Sequence, residues 1–332
     1  MAGVSAVLRD LPRLIRRIGR TAASIVSEKP DCLVTIDSPD FSLRVARKVR
    51  AADPDIPIVH YVCPSVWAWR PGRAAAMRPH VDRILCILPF EAKELERLGG
   101  PPGTYVGHRL RHDADVERAA VAQASARDLS DDRVKTLLLL PGSRRSEVRR
   151  LISPFGETVS ALRMRGHRLR VVLPTVPHVA EMVRTAVADW PEKPHVVIEP
   201  EDKWRAFGEA DAALIASGTV SLELALAGVP MVSTYKLDPV MQAVQHLITA
   251  WSALLPNLIA DRALIPEFYN GYVRPENLAR HLEALFSDSG MRKWQRAGFA
   301  EVRRRMETAR PAGELAAAAV LEVMEGDRTT GQ

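Results

Sequence analysis

The sequence predicts an α/β protein built as two parallel-sheet domains, and three observations carry that prediction. Short apolar runs alternate with amphipathic stretches along most of the 332 residues. Nearly every apolar run ends in a polar turn, and a polar, Ala-rich stretch over residues 111–133 separates two such series. Parallel sheets need a crossover between strands, which is the rhythm these alternations give.

Taken in order, the first 29 residues are Arg-rich and helical in period. Val7, Leu8, Leu11, Leu14, Ile15 and Ile18 make an apolar stripe with arginines beside it, as expected of a surface helix packed on a sheet rather than of a transit peptide. "DCLVTIDSPDF" follows as strand and turn, "SLRVARKVRAA" as helix, and "IPIVHYV" as the next strand. "VDRILCILPF", helix "EAKELERLG" and "GTYVGHRL" continue the series. The second series opens with "VKTLLLLPGSRRSEVRRL" and adds strands at "LRVVLPT", "HVVIEP", "AALIAS" and "VPMVSTY". From Pro275 to Met324 the pattern is helical. The expected boundaries are a first domain over 1–130, a second over 131–300, a C-terminal helix over 301–325 returning toward the first domain, and a frayed tail over 326–332.

Composition bounds the function. Cys32, Cys63 and Cys86 are far apart in sequence and form no CxxC pair, so spacing indicates neither a metal site nor a disulfide framework. A reducing cytosol fits best. Charged residues or proline interrupt every apolar stretch before the roughly 18–20 residues of a membrane span. The net charge of +6 favours an anionic partner, either a phosphorylated metabolite or an anionic membrane surface. Nucleic acid ranks last, since aromatics make up 5% of the chain and no RNP-type or zinc-finger pattern occurs.

The turns carry the chemistry. In "AALIASGTVSLELA" a strand enters Ser217-Gly218-Thr219 and a helix starts there with free amides, a phosphate-binding arrangement that a plain capping turn would also explain. Glu223 lies one helical turn on, where a carboxylate could accept from ribose hydroxyls. "LLLLPGSRRSEV" repeats the logic with Gly142, Ser143 and Arg144, whose planar guanidinium suits a diphosphate; Glu147 would pair with an arginine or cap the helix. Neither turn matches GxxxxGKS, which disfavours a P-loop NTPase. In "TIDSPDF", Asp37 at a strand end could serve as a general base or form an Asx turn, and Asp40 fits a helix cap. Trp67 and Trp69 beside Arg70 and Arg73 suit a sugar face or an acyl chain with a nearby phosphate, or one ring plugs the core. His60 and His108 flank strands and rank below Asp37.

The ordered set "TIDSPDF", "HYVCPSVWAWR", "ILPFE", "YVGHRL", "LLLLPGSRRSEV", "ASGTVSLELALAGVPMVSTYK" and "LLPNLIADRALIPE" resembles the lipid-A-disaccharide synthase family over most of the chain. The resemblance implies a GT-B type fold, two Rossmann-like domains enclosing a cleft. It also implies an inverting glycosyl transfer from UDP-2,3-diacylglucosamine to 2,3-diacylglucosamine 1-phosphate (lipid X), giving a β-1,6 disaccharide phosphate and UDP with neither metal nor cofactor. Asp37 would be the general base. Arg144 and Ser143, with Ser217, Gly218 and Thr219, would hold the donor diphosphate, Glu223 the ribose, and Asn257 and Glu267 fall at donor positions. Trp67, Trp69 and Arg70 would lie on the acceptor or lipid side. A peripheral enzyme on the cytoplasmic face of an anionic membrane is implied, and a homodimer through C-terminal elements is allowed.

Three departures stand out. The family's opening strand and "GExSGD" turn have no counterpart before the first helix, which predicts a first domain short of a strand, a turn and a helix. Arg109 stands where the family has Pro, and Asn270 where it has Gln. Two other classes remain as alternatives: a UDP-sugar 2-epimerase, which shares the fold, and a non-catalytic UDP-sugar-binding remnant. A membrane-surface scaffold, motivated by "VMQAVQHLITAWSALLP" and the basic first helix, is the third.

Overall fold

The alternating pattern is realised as two parallel α/β units in the computed structural model, which describes residues 4–125, 133–237, 242 and 245–329, with the side chains of 4–11, 246 and 327–329 outside the description. One unit comprises Met1–Arg109, His246–Ala250 and Met306–Gln332, the other Leu110–Gln245 and Trp251–Arg305.

In the first unit, α1 (Val4–Glu28) leads to β1 (Leu33–Ile36), α2 (Pro39–Ala52), β2 (Ile58–Tyr61), α3 (Arg73–Met77), β3 (Arg83–Cys86), α4 (Glu91–Arg97) and β4 (Gly103–Tyr105). The sheet is parallel in the order β1-β2-β3-β4. Side chains alternate between its faces. Ile58, Ile84 and Cys86 meet Ile18, Ala22, Leu43, Ala46 and Val49 of α1 and α2, while Val59 and Leu85 turn toward Ala319 of the C-terminal helix. Both faces of these central strands are therefore covered, which explains why they read as continuous apolar runs.

Two sequence expectations need correction here. The α1 stripe does not bury along its length: Ile18 is 3% exposed, but Leu14 is 37% and Ile15 53% exposed, because the contact with α2 runs along the C-terminal half of the helix. Val7, Leu8 and Leu11 lie among the side chains not described. Asp40 is not the cap of α2. Ser38 holds that position without a side-chain cap bond, Pro39 starts the helix, and Asp40 pairs with Arg73 at 3.1 Å.

The second unit runs α5 (Ala114–Ala124), β5 (Lys135–Leu140), α6 (Arg145–Met164), β6 (Leu169–Pro174), α7 (Pro177–Ala186), β7 (His195–Val197), α8 (Pro200–Glu209), β8 (Ala212–Ala216), α9 (Val220–Ala227), β9 (Met231–Tyr235), α10 (Leu255–Ala260), β10 (Glu267–Tyr269), α11 (Pro275–Phe286) and α12 (Gly290–Arg305). Its six-stranded parallel sheet has the order β10-β9-β8-β5-β6-β7. The apolar core joins Leu137, Leu139 and Leu214 of the sheet to Phe155 and Val159 of α6 and Leu278 and Leu282 of α11.

The division between units falls at Arg109–Leu110, ahead of the 130/131 boundary read from composition. Gln123 supplies the reason: its buried Nε2 donates to the carbonyls of Phe207 (2.7 Å) and Ala210 (2.8 Å), anchoring α5 on α8. The chain re-enters the first unit at Met306, whose carbonyl accepts from the Tyr105 hydroxyl at 3.1 Å. There α13 (Ala312–Thr329) packs on β2 and β3. Residues 326–329 are thus helical rather than a frayed tail, and 330–332 lie outside the described residues.

Candidate active site

In the first unit the candidate residues gather where β1 and β2 end. Asp37 (φ 50°), Ser38 (φ 47°) and Val62 (φ 76°) all leave their strands with positive φ. For non-glycine residues this conformation is uncommon, and for β-branched Val62 it is a true outlier, the kind of stored strain that clusters at functional sites. The corner is tied by backbone bonds: Asp37 N–H donates to the Tyr61 carbonyl (3.0 Å) and Val62 N–H to that of Leu85 (3.1 Å). These bonds present the Asp37 side chain exposed, and its carboxylate has no hydrogen-bond partner among the described residues.

His60 is buried on β2, with Nδ1 2.8 Å from the Thr35 hydroxyl, and burial lowers its pKa to about 4 against the raising effect of Asp37. Burial, helped by Arg109, likewise lowers His108 to about 4.

The two tryptophans divide. The Trp67 indole N–H donates to Glu91 Oε1 at 3.2 Å, and its ring meets Phe90 edge-on at 5.1 Å, so this ring braces the loop. Trp69 lies under the Arg70 guanidinium at 4.0 Å and bridges antiparallel to Ile248. Thr249 N–H donates to the Ala68 carbonyl at 2.8 Å, and its hydroxyl to the Trp67 carbonyl at 3.0 Å. This docking of residues 248–249 on the tryptophan loop has no signal in the sequence.

Glu91 was also missed. It is 2% exposed, its Oε2 accepts from the amides of Ile87 (3.0 Å) and Leu88 (2.9 Å), and burial pushes its pKa up to about 7. Donor atoms of Cys63, Cys86 and Glu91 lie within 4.8 Å of one another. The Cys86 thiol and burial together push the Cys63 thiol up. Spacing could not reveal the group, because the turn after β2, the end of β3 and the start of α4 bring it together across 28 residues of chain.

In the second unit, β5 and β8 are hydrogen-bonded neighbours, and the strand order reverses between them. The two turns singled out from sequence therefore emerge side by side at a topological switch point, where open α/β sheets bind ligands. After β5, Gly142 takes φ 112°. Oε2 of Glu147 accepts from the amides of Ser143 and Arg144, both at 3.1 Å, and its Oε1 from Arg144 Nη1 at 3.0 Å. Glu147 thus caps the turn and aims Arg144, whose side chain remains 75% exposed. After β8, Gly218 and Thr219 are exposed at the start of α9, and Thr219 makes no side-chain cap bond. Glu223 sits one turn inside, where Lys203 Nζ donates to its Oε2 at 2.7 Å. Lys203, spread over the Trp204 ring at 4.5 Å, was not found from sequence.

Asn257 and Glu267 form a closed network. Asn257 is fully buried: its Nδ2 donates to Ser252 Oγ (3.2 Å), the Ile265 carbonyl (3.1 Å) and Glu267 Oε1 (3.2 Å), and its Oδ1 accepts from the amides of Leu264 and Ile265, both at 3.0 Å. Glu267 also accepts from Ser252 Oγ (2.5 Å), Ala253 N–H (3.1 Å) and the Tyr269 hydroxyl (2.5 Å). Burial and this carboxylate push the Tyr269 phenol up. Asn257 therefore acts on its surroundings through Glu267. At the neighbouring position, Asn270 (φ 49°) accepts from Leu237 N–H at 2.9 Å through Oδ1, a backbone tie that its short amide makes.

Among the described residues no helix is long and apolar enough to cross a membrane. The membrane-scaffold segment at residues 240–256 falls partly outside them.

The chain matches the family described as lipid-A-disaccharide synthetase over residues 1–320. It is 47% identical over 328 residues to the lipid-A-disaccharide synthase of Nitrobacter hamburgensis, covering 98% of this chain and 82% of that protein. Among solved structures, α,α-trehalose 6-phosphate synthase from Burkholderia multivorans superposes with a TM-score of 0.59 at 11% identity, over 98% of this chain and 77% of that one. MurG from Acinetobacter baumannii gives 0.53 at 16% identity, over 95% and 78%. At such identities the structural likeness concerns the fold, two parallel-sheet α/β domains of the GT-B type.

Proposed function

Because the chain belongs to the lipid-A-disaccharide synthetase family, we propose that it transfers 2,3-diacylglucosamine from UDP to the 6-hydroxyl of 2,3-diacylglucosamine 1-phosphate (lipid X). The family relation sets aside the 2-epimerase alternative. The observation that carries the site reading is the pairing of the Gly142 and Ser217-Gly218-Thr219 turns on adjacent strands at the switch point.

In this reading the second unit takes the nucleotide. The free amides at the start of α9 and the Arg144 fork bind the diphosphate, and Glu223 receives the ribose hydroxyls. Asn257 and Glu267 hold the adjoining loop in shape. The first unit takes the acceptor, with Asp37 as general base and Trp69 and Arg70 beside the acylated sugar phosphate. Asp37 removes the 6-hydroxyl proton as that oxygen bonds to the donor's anomeric carbon. The bond from that carbon to the diphosphate breaks on the opposite face, and UDP leaves with its charge met by Arg144 and the helix start, so configuration inverts.

The exposed Leu14 and Ile15, beside Arg13, Arg16 and Arg17 on α1, support peripheral contact with an anionic bilayer. Flotation with anionic vesicles should fall with added salt and with Leu14→Ser plus Ile15→Ser. Salt-insensitive binding would count against the electrostatic part.

The main test is a transfer assay with both substrates, the parent chain beside Asp37→Ala. Disaccharide from the parent and its loss in the variant are expected. A folded chain that binds UDP and forms no product would return the function to the non-catalytic alternative.

A further inference from the structure

The two turns at the β5–β8 switch point have a charged neighbour on α8 that the transfer chemistry leaves without a role. All of β5, β6, β7 and β8 run parallel, so α8 and α9, the helices that follow β7 and β8, both start at the sheet edge where the turns emerge. On its way from β7 back to β8, α8 packs against β5 and α9. Lys203 stands in the first turn of α8 and Glu223 in the first turn of α9. Across 20 residues of chain, Lys203 Nζ donates to Glu223 Oε2 at 2.7 Å.

The ammonium is held from a second side. It lies 4.5 Å from the centre of the Trp204 ring and 5.5 Å from that of Phe207, two buried rings that meet edge-on at 5.2 Å. A long, flexible side chain is thereby kept to one place. The acidic residue beside it, Asp202, is taken by Arg205, and the partner Lys203 takes is on α9. With side chains 29% and 18% exposed, the pair is better sheltered than the open surface ion pairs that contribute little. Oε1 of Glu223 has no hydrogen-bond partner among the described residues.

We infer that Lys203 is the positioning residue that makes the donor site select ribose: by occupying Oε2 of Glu223 it holds Oε1 where the sugar's hydroxyls can donate to it. The inference rests on the reading of Glu223 as the ribose acceptor. Without the lysine the carboxylate is free to rotate away, and a diol loses a fixed acceptor. The ammonium also offsets the negative charge of Glu223 near the diphosphate. That second effect strengthens every uridine diphosphate alike, so the preference for ribose reports the positioning alone.

The experiment measures Kd by calorimetry for UDP and for 2′,3′-dideoxy-UDP in the parent, Lys203→Met, Lys203→Arg, Glu223→Ala and the Lys203→Met, Glu223→Ala double variant, with thermal unfolding as a check of folding. Hydrogen bonds to a charged group correspond to roughly ten- to a hundredfold in affinity, and the parent should prefer UDP by about that factor. Lys203→Met should cut the preference to within about threefold. Lys203→Arg, which keeps a charged donor on the same stem, should retain most of it. In the Glu223→Ala background, Lys203→Met should change the preference no further. In the transfer assay Lys203→Met should raise the KM for the UDP-sugar by about tenfold and leave kcat within about threefold, because the ribose is remote from the bond that breaks. A lysine that only ties α8 to α9 would alter the unfolding midpoint and leave the preference intact. A folded Lys203→Met chain with the parent's preference would therefore overturn the inference, and Lys203→Ala carries the same expectation should the Met variant fail to fold. No preference in the parent, or one kept in full by Glu223→Ala, would instead overturn the ribose reading itself and the inference with it.

Discussion

Gly142 and Glu147 pack so closely that a Cβ added to the glycine would stand 2.6 Å from the Cβ of Glu147. The glutamate can fold back over the turn to cap the Ser143 and Arg144 amides because nothing projects from position 142. At φ 112° an L side chain would also be strained. Gly142→Ala should therefore cost about 2 kcal/mol of stability in urea denaturation and weaken UDP binding by about tenfold or more, measured by calorimetry. Unchanged affinity would dissociate the Gly142 turn from the donor site.

Lys203 holds one oxygen of Glu223 at 2.7 Å and leaves the other for a ligand. Glu223→Ala should weaken UDP by about tenfold, as expected for hydrogen bonds to a charged group. It should also abolish the preference for UDP over an analogue lacking both ribose hydroxyls. If the variant still discriminates the two, Glu223 serves only to anchor Lys203.

Glu91 links stability to pH. Burial raises its folded pKa to about 7 from an ordinary 4.5. Between those values the folded chain binds more protons than the unfolded one, so this group's contribution falls as pH rises from 4.5 to 7 and is level above 7. The difference is on the order of 3 kcal/mol. His60, lowered to about 4, works in the opposite sense: its contribution is lost as pH falls from 6.5 toward 4. His108, lowered likewise, adds a second slope of the same sign as His60, so Glu91 offsets only one of the two over the shared range. Glu91→Gln should steepen the rise of stability from pH 4.5 to 6.5 in chemical denaturation. A Glu91→Gln curve parallel to the parent's would show that Glu91 does not titrate in this window.

Asn257→Ala would leave the buried amides of Leu264 and Ile265 without an acceptor and Glu267 short of a donor. A loss of about 3 kcal/mol is expected, visible as an early unfolding midpoint, with the KM for the UDP-sugar raised through the loosened Glu267 loop. A variant with wild-type stability and raised KM would mean that Asn257 touches the donor directly.

How much of this was legible varied with how local the cause was. Strands β2, β3, β5, β6, β8 and β9 are apolar runs closed by turn residues and could be read as strands for that reason, while their registers were set only by packing. β10 escaped notice because Glu267–Tyr269 is three residues long and carries only one clearly apolar side chain. The α1 stripe was seen, but which part of it is covered depends on where α2 crosses it. Gly142, Gly218 and Arg144 were legible because a turn's need for glycine and a diphosphate's need for a planar fork are properties of a few consecutive residues. Glu91, Lys203 and the Thr249 contacts were not, since each acts on residues 20 or more positions away.

The sequence by itself determined the two parallel-sheet series, the glycine turns at strand ends and the family to which the chain belongs, all of which are written in short-range pattern and motif order. The tertiary structure decided which strands stand side by side, and so brought the two anion-suited turns together across β5 and β8. It also decided that Asn257 is sealed inside its loop while Asp37 stands exposed at the end of β1. Hydrophobic periodicity fixes what is buried, but the partner that each buried polar group finds is set only when distant segments of the chain pack together.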